Sequence, residues 1–124
     1  TFRLPGAEYG LVVGAAAFPR LVGAARAKEL IFTAKKFNAL EAERWGFVNS
    51  LFSPDYLLAE ALSMAEMISE NSAIAVQESK RVIDAATLDQ TALALENEIN
   101  RRLRGSEDQV ARFAKATKRV TGRS

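Results

Sequence analysis

The stretch "ARAKELIFTAKKFNALEAERWGFVNSLF", Ala25 to Phe52, carries two helix signals and a strand signal in direct succession. Leu30 and Ile31 fall on the inward side of a helix expected from Ala24 to Ala34. Asn38 is followed three positions later by Glu41, the spacing of a capping box. The helix it opens should run through Trp45, and Gly46 should stop it. "FVNSLF", Phe47 to Phe52, then reads as a short buried strand.

Upstream, "TFRLP" alternates apolar and polar residues and predicts a second short strand, ended by Pro5. A stretch rich in glycine and alanine, Gly6 to Gly23, joins it to the first helix. Downstream, Ser53, Pro54 and Asp55 combine a cap, a proline at the first helical position and an acid on the positive end of the helix dipole. That helix should carry Leu58, Leu62, Ala65 and Ile68 on one side and reach Glu70. A further helix is expected from Ser72 to Ala86. Thr87 with Gln90 predicts the start of the next, and Ser106 with Gln109 the start of the last. Leu88, Ala92, Leu95, Ile99 and Leu103 form a narrow apolar stripe. Two short strands do not make an independent sheet. The chain is therefore either nearly all-α or borrows a sheet from another segment. Its first residue, Thr1, favours reading it as processed, trimmed or part of something longer.

Composition narrows the chemistry. Cysteine and histidine are both absent, which removes thiolate chemistry, a disulfide framework and the commonest general base and metal ligand. No metal site is expected, because the carboxylates are scattered. Hydrophobic residues make up 48% of the 124, enough for a core in one domain. No apolar run could span a bilayer and no signal segment opens the chain, so a cytoplasmic location without membrane contact is expected. The net charge is only +2, yet Arg101 to Ser124 hold eight Lys and Arg against two acids. Such a tail suits a phosphorylated ligand, nucleic acid or anionic lipid, or is a solvated helix end. Phe113 is the lone aromatic there, too thin a stacking signature for a nucleic-acid partner.

The possible sites each have two readings. Gly6, Gly10 and Gly14 are evenly spaced, but neither a P-loop nor a dinucleotide fingerprint follows. The run Gly14 to Ala17 suits close helix packing, or a helix start that meets an oxyanion or phosphate. Glu8 is an acid poised in a pocket or a loop carboxylate in solvent. Glu41 and Glu43 should face water, and Glu96 and Glu98 do not share a helix face.

The order "FRLPGAEYGLVVG", "PRLVG", "AKELIFTA", "NALEAERWGFVNSLF" and the following helices resembles the C-terminal half of the enoyl-CoA hydratase/isomerase (crotonase) superfamily. The resemblance runs from Phe2 to Arg123. It implies an α/β crotonase-like spiral core, here mostly α-helical with two or so short strands. Residues 1–52 would be the end of that core with an active-site wall, and residues 53–124 a helical region for trimerisation and CoA cover. The implied ligand is an acyl-CoA substrate, with coenzyme A part of the substrate and no separate cofactor. The implied assembly is a homotrimer or a dimer of trimers. In the family, two backbone N–H groups form an oxyanion hole for an enolate. Those donors and the first hydratase glutamate belong to segments upstream of this chain's pattern.

Three departures bear on activity. The family's second hydratase glutamate follows the proline of "F-x-x-P-E", and here that position is Gly6. Glu8 is then the nearby acid left for proton transfer. The implied outcomes are hydration by another route, a one-acid reaction, or a non-catalytic relative that binds acyl-CoA or a partner protein. Restoring an acid with Gly6→Glu should raise hydration, unless the glycine serves a close approach and the new side chain clashes. The family's glycine-rich loop is shortened to Gly10–Arg20, so Gly6, Gly10, Val12, Val13, Gly14 and Phe18 are the implied substrate-binding residues. The lysine expected near the CoA 3′-phosphate is displaced, leaving Lys115 or Lys118 for that role.

Overall fold

Phe2 and Phe37 exchange backbone hydrogen bonds of 2.9 and 3.1 Å in an isolated antiparallel bridge. It is the only β pairing among residues 1–122, the residues described by the computed structural model. The two expected strands therefore reduce to one bridging residue and an irregular segment. The second is turned back on itself, since Phe47 N and Val48 N both donate to Ala42 O and Leu51 N donates to Glu43 Oε1. An amide already paired in a turn does not extend a sheet.

The rest is helical. A short 3-10 helix, Ala7–Tyr9, precedes α1 (Pro19–Val22), α2 (Ala24–Thr33) and α3 (Ala39–Arg44). The long helices α4 (Pro54–Ser69), α5 (Ala73–Thr87), α6 (Gln90–Leu103) and α7 (Glu107–Thr121) follow. Asn38 and Glu41 form both halves of the capping box, at 2.9 and 2.8 Å. Gly46 follows α3 at φ +76. Ser72 and Ser106 accept from the amides of Ala75 and Gln109. At α6 the cap is Asp89 and not Thr87: the Asp89 carboxylate takes the amides of Thr91 and Ala92, whereas the Thr87 hydroxyl bonds back to Ile83 O. Ser53 holds the cap position of α4 without a side-chain hydrogen bond.

The core lies in the first half of the chain. Leu30 is fully enclosed, with Phe18, Ala27, Ile31, Phe37 and Ala42 around it. Phe47 meets Phe2, Phe18 and Phe37 edge-on, with ring centroids 5.1 to 5.7 Å apart. Such edge contacts stabilise by about 0.5–1.5 kcal/mol each beyond their buried area. Arg26 lies 4.5 Å over the Trp45 ring and covers the rim of this cluster.

The second half behaves differently. Helices α4 and α5 bury no residue. The apolar side expected on α4 is present, but Leu58 is 71% exposed and Leu62 55%. The stripe is half-buried at Leu88, just before α6, and at Ala92, Ile99 and Leu103 on it, and exposed at Leu95. Helix α7 packs on the 3-10 helix and buries Ala116. Among the described residues no helix is long and apolar enough to cross a membrane. Arg123, the end of the resemblance and part of the basic tail, lies outside the described residues.

Candidate active site

The site is built from the loop between Pro5 and Pro19 and from the helices that hold it. Gly6 N-caps the 3-10 helix, and Leu11 N returns to Gly6 O at 2.9 Å. The loop thereby folds over its own start. A methyl group on Gly6 would stand 2.9 Å from Val13 Cβ, closer than real side chains come, and a tight 3.0 Å from Leu11 O. Gly6 is buried, and its place is one of close approach. Gly10 closes the 3-10 helix at φ +74, and a methyl there would meet Gln109 Cα at 2.9 Å. The glycine lets α7 cross directly over this turn.

Glu8 lines a cleft, and both of its carboxylate oxygens are paired there. Its Oε2 accepts from Arg3 Nη2, and its Oε1 pairs with Arg119 Nη2 at 2.5 Å. Two guanidinium groups therefore occupy both oxygens and tie the loop to α7. Arg3 also donates through Nε to Ala34 O at 2.8 Å, which anchors the bridge at the end of α2.

Two depressions flank the loop. One, of about 440 Å³, is an apolar groove lined by Leu4, Gly14, Ala17, Phe18, Leu21 and Leu88, with Arg20 and Asp84 at its edge. The other, of about 370 Å³, is basic and is lined by Glu8, Arg112, Lys115, Ala116 and Arg119. The substrate-binding residues expected from the sequence are thus divided. Gly14 and Phe18 face the apolar groove, although Phe18 is only 5% exposed and serves the core as well. Val13 packs against Gly6 and is otherwise open to solvent, while Gly6 and Gly10 serve backbone contacts. Val12 is held by Asn100, whose Oδ1 accepts from Val12 N at 2.9 Å. Lys115 lines the basic cleft, and Lys118 does not.

The residues that sequence reasoning passed over are Glu96 and Asn100. Glu96 Oε1 accepts from Gly14 N at 2.9 Å, and Oε2 accepts from Ala16 N at 2.7 Å. Asn100 also donates through Nδ2 to Val12 O. The available signal was their spacing of four, which puts both on one side of α6 beside the apolar stripe.

The family model for enoyl-CoA hydratase/isomerase matches residues 1–119. The chain belongs to the enoyl-CoA hydratase/isomerase family. It is 48% identical over 64 residues to a short-chain-enoyl-CoA hydratase from Clostridioides difficile, covering 52% of this chain and 41% of that one. A short-chain-enoyl-CoA hydratase from Clostridium acetobutylicum is 42% identical over 93 residues, 73% of this chain and 35% of the relative. A mevalonyl-coenzyme A hydratase from Aspergillus fumigatus is 43% identical over 75 residues, 58% of this chain and 28% of the relative. A crystal structure from Streptomyces avermitilis, assigned to the enoyl-CoA hydratases, superposes with a TM-score of 0.86 at 26% identity. It covers 98% of this chain and 45% of that one. The fold is thus the crotonase fold of this family, seen in a helix-rich segment. The chain spans less than half the length of each of these relatives.

Proposed function

We propose that the full-length protein binds acyl-CoA thioesters and acts on an enoyl-CoA or related thioester through an enolate held in an oxyanion hole. The observation that carries this reading is the family match across residues 1–119, with an apolar groove at Gly14 and Phe18 in the loop the resemblance implies for substrate. The groove suits an acyl chain. The basic cleft suits a phosphate, and Lys115 in it is the better candidate for the CoA 3′-phosphate than Lys118. Glu8 has both oxygens engaged by arginines, so proton transfer is assigned to groups outside this chain. The open apolar sides of α4 and α5 support packing against the rest of the protein or further copies, as in a homotrimer or a dimer of trimers. A cytoplasmic location belongs to the same reading.

A second reading, a non-catalytic relative that binds acyl-CoA or a partner protein, is favoured by one observation. The resemblance puts Gly6 at the position of the family's second hydratase glutamate, and Gly6 is packed directly under Val13. Assaying the full-length protein with crotonyl-CoA and longer enoyl-CoAs separates the two. Turnover that survives Glu8→Gln supports the enzyme reading with Glu8 as a structural acid. Binding without turnover on any chain length supports the second.

A further inference from the structure

Glu96 is a carboxylate spent on the main chain of a distant loop. Its two oxygens take the amides of Gly14 and Ala16, residues 82 and 80 positions away in the sequence. Hydrogen bonds from backbone amides to an ionised carboxylate are stronger than neutral ones. Successive amides around a left-handed residue form a concavity suited to an anion, and Gly14 has φ +77. One turn along α6, Asn100 makes the reciprocal pair with Val12 N and O. Together they engage Val12, Gly14 and Ala16. The next link is Phe18 N to Gly14 O at 2.8 Å, which passes the held geometry into α1. Gly14, Ala17 and Phe18 are a wall of the apolar groove, and Leu88, just before α6, faces them.

We propose that Glu96 and Asn100 are specificity-determining positioning residues: by fixing the backbone of residues 12–16 they set the width of the apolar groove, and hence the acyl chain it accepts. The inference rests on the acyl-CoA reading above for the identity of the ligand. The clamp itself rests only on the hydrogen bonds. Neither residue touches substrate in this account. They act through the loop.

The test uses the full-length protein with Glu96→Ala, Glu96→Gln and Asn100→Ala. Glutamine keeps the volume but only one acceptor oxygen, so it releases one of the two amides and guards against a variant that fails to fold. Two quantities are read: hydrogen exchange at the Gly14 and Ala16 amides, and the affinities for butyryl-CoA and decanoyl-CoA. Exchange should accelerate in Glu96→Ala, with Glu96→Gln intermediate. The ratio of decanoyl- to butyryl-CoA affinity should rise by roughly tenfold, the scale on which a hydrophobic pocket reads about one methylene. If the protein turns over enoyl-CoAs, the same shift should appear in KM with kcat little changed. Equal weakening of both esters would mark a merely structural role and overturn the proposal, as would unchanged exchange. If the unmodified protein binds neither ester while exchange still responds to Glu96→Ala, the acyl-CoA reading fails and the specificity role with it, leaving only the clamp.

Discussion

Gly6 lies beneath Val13 at a distance that leaves no room for a side chain: a Cβ on Gly6 would be 2.9 Å from Val13 Cβ. The loop at Leu11 and Val13 therefore occupies the space into which an acid at position 6 would first have to extend. Gly6→Ala should destabilise by about 1–3 kcal/mol, the usual cost of overpacking a filled site. Gly6→Glu should do the same without raising hydration. Val13→Gly should relieve part of the Gly6→Ala penalty, leaving the 3.0 Å approach to Leu11 O. A double-mutant cycle on unfolding free energies reads that coupling directly. Additive effects would show that the two residues do not meet.

Gly10 supports α7 in a related way. Gly10→Ala combines a left-handed φ with a methyl pressed on Gln109 Cα. The expected loss is about 3 kcal/mol, from roughly 1–2 for the conformation and a similar amount for the contact. Circular dichroism with denaturant titration measures it. A loss under half a kilocalorie would mean that α7 moves aside freely.

Glu8 bridges Arg3 and Arg119, and these two ion pairs predict an electrostatic, structural role for it. Glu8→Gln should cost about 1 kcal/mol, in keeping with partly exposed ion pairs, and the difference should shrink in high salt. Catalytic turnover, where present in the full-length protein, should persist. Complete loss of turnover at unchanged stability would restore Glu8 as the acid.

Glu29 provides the pH dependence. The hydrogen bond from Lys35 Nζ is the main cause that holds its carboxyl below the usual value, opposed by desolvation and aided by the charges of Arg26 and Lys35 and a hydrogen bond from Arg26. A carboxyl with a depressed folded-state pKa stabilises above its unfolded value, and that contribution is lost as the pH falls through the folded one. The stability difference between the unmodified protein and Glu29→Gln should therefore be present at neutral pH and vanish toward strong acid. A difference that grows on acidification would contradict the pairing.

Much of this arrangement was legible in the sequence. The Asn38–Glu41 capping box, the inward Leu30 and Ile31 and the Ser106 cap follow from local spacing, and the structure has each of them. Caps and helix faces depend on neighbours within a turn or two, so short-range patterns report them. The expected strand at Phe47–Phe52 is absent because its amides turn back to Ala42 and Glu43, a local alternative that hydropathy does not register. Asp89, and not Thr87, caps α6 because its carboxylate stands two residues nearer the amides of Thr91 and Ala92. The site was less legible, since the partners lie far apart in sequence. Glu96 meets Gly14 and Ala16, and Glu8 meets Arg119, only after α6 and α7 fold back over the loop.

The affinity of the full-length protein for a CoA thioester tests the central claim most directly. Calorimetric titration with butyryl-CoA and decanoyl-CoA, with the corresponding free fatty acids as controls, distinguishes thioester recognition from grease binding. The account predicts saturable binding of at least one thioester, weakened by Lys115→Ala, and no comparable binding of the free acids. No binding of either thioester by folded full-length protein would contradict it.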